Sequence, residues 1–71
     1  MKYLVIVEKG DTSFGAYVPD LPGCVAVAET EDEVMELIHE AIEFHLECLR
    51  DEGEQIPPPR SNVGFVEVLA A

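Results

Sequence analysis

Apolar residues occur in four short blocks along this chain, and one long segment with helical spacing lies between the third and the fourth. Three blocks rich in β-branched and aromatic residues, at 2–8, 14–18 and 24–29, predict three β-strands. Glycine, proline and small polar residues separate these blocks, which indicates tight reversals of the chain. Residues 63–69, VGFVEVL, have the same composition and predict a fourth strand.

A helix is predicted from Glu31 to Glu52, between the third and fourth strands. Thr30 and Glu33 form a capping box that begins it, and Gly53 stands where a left-handed residue ends it. The order β-β-β-α-β predicts one α+β domain over residues 1–71, a two-layer sandwich of one helix on a four-stranded mixed sheet. The last strand should run parallel to the first.

The composition and charge of the chain exclude several classes of function. The chain has 71 residues, 15 acidic and 4 basic, with a net charge of −11, and 48% of its residues are hydrophobic. Such a charge repels phosphate, so binding to nucleic acid or to an anionic membrane is not expected. Two cysteines are too few for a disulfide-stabilised secreted domain. With neither a signal peptide nor a membrane span in the sequence, a cytoplasmic protein is predicted.

Acidic residues of the predicted helix form one continuous stripe. Their spacing of four, three, four and four residues places them on one helix face. Two interpretations stay open, namely a solvated face or a docking surface for a basic partner. The stripe consists of Glu36, Glu40, Glu43, Glu47 and Asp51.

The helix also carries more apolar surface than one sheet face can cover. Its apolar arc spans roughly 200°, whereas a helix packed on one side needs about 100°. The margins of that arc and the second apolar face of the sheet predict contacts between chains, and therefore a homo-oligomer. The predicted interface residues are Leu4, Ile6, Tyr17, Met35, Phe44, Leu46, Val66 and Val68.

Candidate chemistry is sparse. The sequence has no phosphate loop, nucleophile elbow or metalloprotease motif, which predicts a protein without enzymatic activity, cofactor or metal. Glu36 and His39 have the spacing of di-iron sites, but those sites need four helices. A metal or small ligand held by Cys24, His45 and Cys48 remains a minor alternative.

Three segments, in order, resemble one protein family. The second segment is the helix start, T-E-D-E-V at 30–34, and the third is G-E-Q-I-P-P-P at 53–59. Together with the first segment they resemble the HicB-like antitoxins over nearly the whole chain. That first segment is the loop motif Pro19, Asp20, Leu21, Pro22, Gly23 and Cys24.

The resemblance implies both a fold and a role. The fold would be a partial ribonuclease-H-like domain without the catalytic carboxylates, and Glu8, Glu29 and Glu67 at strand ends do not form such a set. The role would be to bind and neutralise a small basic HicA-like toxin that cleaves RNA. HicB antitoxins usually continue into a DNA-binding domain, which is not expected here. The alternative is a stand-alone homo-oligomeric relative of unassigned function with no toxin partner.

Overall fold

A computed structural model describes residues 1–70, in which three β-strands precede one helix. The strands are β1 (Ile6–Lys9), β2 (Phe14–Tyr17) and β3 (Val25–Ala28), and the helix is α1 (Glu31–Asp51). Neighbouring strands are antiparallel, in the order β1-β2-β3. The predicted α+β class and the β-β-β-α order are therefore confirmed.

The sheet has one covered face and one open face, because successive side chains of a strand point to opposite sides. Ala16 of β2 lies on the covered face, where α1 packs through Val34 and Ile38, which are 0% and 1% exposed. The loop between β2 and β3 completes this small core. Its buried members are Ala16, Val18, Leu21, Cys24, Val34 and Ile38.

Local capping sets both ends of α1. The hydroxyl of Thr30 accepts a hydrogen bond from the backbone N–H of Glu33 at 3.1 Å, as the capping box predicted. At the other end Gly53 has φ of 71°, in the left-handed region. Its N–H and the following N–H donate to the carbonyls of Arg50 and Leu49, which makes a Schellman motif.

The first strand is shorter than the predicted 2–8, because β1 begins at Ile6. Its neighbour β2 ends just before Val18, whose N–H donates instead to the carbonyl of Cys24 at 3.2 Å. Pro19 follows and has no N–H to offer a ladder. Residues 2–5 therefore extend beyond the end of the sheet without a strand beside them in the described chain.

The prediction of a fourth strand is not confirmed, since 63–69 form no strand within residues 1–70. Within residues 1–70 the sheet therefore has three antiparallel strands, and the ribonuclease-H-like arrangement implied by the resemblance stays a prediction. High β-propensity makes no strand unless a free edge lies beside it. From 62 to 70 every residue is exposed, with Phe65 93% and Leu69 100% exposed. We call residues 62–70 the tail.

We predict that Ile38→Ala lowers the free energy of unfolding by about 2–4 kcal/mol, because it opens a cavity between α1 and the sheet. Leu37→Ala is the matched control, since the neighbouring Leu37 side chain is 43% exposed, and we expect a loss below about 1 kcal/mol. Chemical denaturation followed by circular dichroism measures both. Equal losses would show that the core does not lie where the structure places it.

Candidate functional site

The acidic stripe is exposed along its whole length. α1 packs on the sheet through Val34 and Ile38, and the stripe occupies the opposite side of the helix. The carboxylates therefore form a ridge that a partner can reach without any rearrangement of the domain. All five members are exposed: Glu36, Glu40, Glu43, Glu47 and Asp51.

Positive charge offsets this stripe only weakly. His39 Nε2 lies 3.8 Å from Glu43 Oε1, and both side chains are largely exposed. A pair so exposed contributes little energy, and it is ionic only when the histidine is protonated. Arg50 stands in the last turn of α1, where it complements the negative end of the helix dipole. The stripe is therefore a band of mostly uncompensated negative charge.

A cleft lies beside the stripe, between the N-terminal segment and α1. Its volume is ≈ 790 Å³, and both apolar and charged side chains line it. Glu43 and Glu47 of the stripe stand on its rim with His39 and Arg50, so the stripe and the cleft are contiguous. The apolar lining consists of Met1, Tyr3, Val5, Met35, Ile38, Ile42 and Leu46.

The open face of the sheet is apolar as well. Ile6, Tyr17 and Val25 lie side by side across the three strands, and the Val25 side chain is 62% exposed. Val27, 66% exposed, continues this row along β3. The sequence pattern predicted an apolar second face but missed Val25 and Val27, which become neighbours of Tyr17 only through the register of β2 and β3.

The predicted interface residues do not gather on one surface. Val66 and Val68, expected on the open face of the sheet, lie on the exposed tail instead, because 63–69 form no strand within the part of the chain that the structure describes. Leu46 is half-buried and packs against the core. The remaining residues are divided between the sheet and α1: Leu4 and Ile6 are half-buried, and Tyr17, Met35 and Phe44 are exposed.

The loop motif folds into two successive β-turns. The N–H of Leu21 donates to the carbonyl of Val18 at 3.0 Å, and the N–H of Cys24 donates to that of Leu21 at 3.1 Å. The second turn has proline and then Gly23, whose φ of 85° is the conformation that a type II turn needs at this point. Leu21 is fully buried, which anchors the loop to the core.

Asp20 projects from this rigid loop and holds the chain after the helix. Its Oδ2 accepts hydrogen bonds from the backbone N–H groups of Arg60 at 2.8 Å and Ser61 at 2.9 Å. Its Oδ1 accepts one from the Ser61 hydroxyl at 2.9 Å. The carboxylate of Asp20 therefore binds backbone groups forty residues further along the chain. Nearby, the Tyr3 hydroxyl donates to the carbonyl of Pro57.

The backbone N–H groups of Ser61 and then Arg60 hold the pKa of Asp20 below its usual value of 3.8. Hydrogen bonds to a carboxylate stabilise its charged form, so this attachment depends on an ionised Asp20. We call it the Asp20 clamp. It fixes the point from which the tail leaves the domain.

Metal chemistry finds no support in the described residues 1–70, where no three histidine, cysteine or acidic side chains are placed to hold an ion. Cys24 is buried in the core, and burial raises the pKa of its thiol. Cys48 and His45 are half-buried on α1. Within residues 1–70, Cys24, His45 and Cys48 are therefore not placed together as a set of metal ligands. No helix of the described chain has the length and apolar character to span a membrane.

Comparison with known proteins points to one family. A family model described as the HicB-like antitoxin of a bacterial toxin-antitoxin system matches residues 3–67. A UPF0150 protein of Thermoplasma acidophilum is 40% identical over 71 residues, which cover 99% of this chain and 100% of that protein. A UPF0150 protein of Archaeoglobus fulgidus is 41% identical over 59 residues, covering 79% and 86% of the two chains.

Two further similarities concern longer chains. An uncharacterised 14.9 kDa protein of Haemophilus phage HP1 is 37% identical over 57 residues, which cover 80% of this chain but 43% of the phage protein. A chain in the solved structure of a HicA3 and HicB3 toxin-antitoxin complex shares 32% sequence identity. Its TM-score is 0.70, and the match covers 83% of this chain and 70% of that one.

We predict that Asp20→Ala releases the chain around residue 60, because it removes all three hydrogen bonds of the Asp20 clamp. The N–H groups of Arg60 and Ser61 should then exchange with solvent deuterium faster than in the unmodified protein, as measured by hydrogen exchange and NMR. Ser61→Ala is the control, since it removes only the hydroxyl bond and should leave both N–H groups protected. Unchanged exchange in Asp20→Ala would contradict the clamp.

We also predict a pH dependence of the same protection. The pKa of Asp20 is lower in the folded chain than in the unfolded one, so the clamp contributes fully above pH 3.8 and weakens as pH falls through the lowered value. Hydrogen exchange at Arg60 and Ser61, compared with a core amide such as that of Ala16, measures this. Loss of protection at neutral pH would be inconsistent with an ionised carboxylate as the acceptor.

Proposed function

Because the chain belongs to the HicB-like antitoxin family of bacterial toxin-antitoxin systems, we propose that it is a protein-binding module that captures and neutralises a small basic HicA-like toxin. The structural similarity to a chain of a HicA3 and HicB3 toxin-antitoxin complex supports a partner of this kind. The toxin implied by the family resemblance cleaves RNA, which makes the cytoplasm the place where this module acts.

The exposed acidic stripe is the observation that carries this proposal. An RNA-cleaving protein must present cations to the phosphate backbone of its substrate. Carboxylates held at fixed spacing on one helix compete for those same cations. Inhibition then comes from covering the toxin's RNA-binding surface, so the antitoxin needs neither catalytic residues nor a cofactor of its own.

The charge of the chain favours fast and selective encounter with such a partner. Long-range attraction between a chain of charge −11 and a basic protein raises the association rate. The same charge repels RNA, so the module does not compete for the toxin's substrate. Screening by salt should slow association, because the stripe is exposed to solvent.

Association between copies of this chain is a second proposal, and a specific observation favours it. Large apolar side chains are exposed on three separate parts of the molecule, namely the open face of the sheet, the flanks of α1 and the tail. Such surfaces usually mark interfaces. A stand-alone homo-oligomer of unassigned function, without a toxin partner, is the alternative that this observation supports.

We predict that replacing Glu36, Glu40, Glu43 and Glu47 with lysine weakens binding to the basic toxin by about 100-fold or more, because attraction along the stripe becomes repulsion. Lysine and glutamate have similar helix propensities, so α1 should persist. The toxin to test is the small basic protein encoded beside this chain, co-expressed with it and measured by titration calorimetry.

A matched control reverses the same number of charges elsewhere. Lysine at four exposed acidic positions outside the stripe changes the net charge equally and should weaken binding far less. Equal losses of toxin affinity in both variants would show that only the net charge matters. Unchanged affinity in the stripe variant would show that the toxin binds another surface. Absence of any co-purifying basic protein would favour the stand-alone alternative. The control positions are Glu8, Asp11, Glu29 and Glu54.

A further inference from the structure

Two segments of this chain have the composition of strands but no strand beside them in the described structure. Residues 2–5 continue β1 beyond the end of β2, and 63–69 lie on the tail. An extended apolar segment leaves its N–H and C=O groups free to pair with another chain. Each of the two segments therefore has backbone groups that can pair with those of the other.

The tail is directed away from its own sheet. The Asp20 clamp holds Ser61 against the loop between β2 and β3, and from 62 to 70 every residue is exposed. The radius of gyration is 14.4 Å, against about 11 Å for a compact chain of this length. The apolar side chains of the tail have no covering surface within their own domain, and Phe65 is 93% exposed.

The site that suits such a segment lies on the other side of β1. One edge of β1 has no strand beside it within residues 1–70, because the sheet order is β1-β2-β3. Beside residues 2–5 lies the cleft of ≈ 790 Å³, lined by Tyr3, Val5, Ile42 and Leu46 among others. A strand added along this edge would gain backbone hydrogen bonds and bury alternate side chains in the cleft.

We propose that two copies of this chain exchange tails, so that residues 63–69 of each copy add as a fourth strand beside residues 2–9 of the other. Phe65 enters the cleft, and Val66 and Val68, which point the opposite way along a strand, extend the open apolar face of the sheet. This arrangement restores a four-stranded sheet between chains. It rests on the proposed association between copies and names the segments that meet.

A second copy is the occupant that the charges favour. Two chains of charge −11 repel each other, so contact through their acidic stripes is unfavourable. Residues 61–70 contain one charged side chain, Glu67, and therefore make contact at little electrostatic cost. A two-fold exchange fills the cleft of each copy with the tail of the other, so that neither a cleft nor a tail is left without a partner.

Analytical ultracentrifugation of the full chain tests the exchange. We expect a dimer, and Phe65→Asp should raise its dissociation constant about 100-fold or more, because it replaces a large apolar ring with a carboxylate beside Glu43 and Glu47 of the cleft. Circular dichroism should remain unchanged, since Phe65 is almost fully exposed within its own chain. Phe44→Asp is the matched control, because Phe44 is an exposed aromatic residue outside the cleft, and this variant should remain dimeric.

A synthetic peptide of residues 61–70 provides a second measurement. Added to the monomeric Phe65→Asp protein at up to millimolar concentration, it should shift the NMR signals of Tyr3, Val5 and Ile42. The same peptide with aspartate in place of Phe65 should not. Absence of binding by the unmodified peptide would overturn the exchange.

The sedimentation outcomes separate the two proposals. If the unmodified protein is a monomer, both the association between copies and the exchange of tails are overturned, whatever the protection of the N–H groups of 63–69. A dimer that survives Phe65→Asp but dissociates with Phe44→Asp would overturn the exchange alone and place the contact on α1. Toxin binding through the stripe is measured separately and is unaffected by either result.

Discussion

The packing of Val34 and Ile38 onto the sheet determines which surfaces of this protein are available. A single helix covers one face of a sheet and no more. Once these two side chains are buried, the helical repeat turns the acidic stripe outward. The same contact leaves the face that contains Tyr17 and Val25 open to solvent. The charged ridge and the apolar surfaces thus follow from one core contact in a small domain.

The loop between β2 and β3 adds a second constraint, which acts over a long distance in sequence. Two β-turns and the buried Leu21 make the loop rigid, so the carboxylate of Asp20 stands at a fixed position. The chain returning from α1 binds there through its backbone at Arg60 and Ser61. A short, locally encoded motif therefore controls where a segment forty residues away leaves the domain.

The two proposed interactions use different properties of the same helix. The stripe offers charge to a basic protein, while the cleft beside it offers apolar surface to a strand whose one charged side chain is Glu67. Glu43 and Glu47 border both. A dimer held together by exchanged tails would keep both stripes exposed, because the tails bind beside β1 and not across the outer face of α1. Two toxin-binding surfaces per dimer are then compatible with the geometry.

Local chemistry made much of this structure predictable. The ends of α1 agree with prediction to within one residue because Thr30, Glu33 and Gly53 act over a few residues. The stripe was equally predictable, since helical spacing alone aligns its carboxylates. The family resemblance was visible in the loop motif and the helix exit, which lie in fixed order along the chain. Three strands were recognised from composition, although their ends were not.

What the sequence could not determine depends on pairing between distant residues. Residues 63–69 have the composition of a strand, but whether they form one depends on a free edge that only the folded chain, or a second copy, provides. The reach of Asp20 to Ser61 and the alignment of Val25 with Tyr17 are likewise products of register and chain return. The sequence by itself determined the helix, its acidic stripe and the order of the three strands before the helix. The tertiary structure alone decided which edges and apolar faces stay open, because hydrogen-bond ladders and burial join residues far apart in the chain.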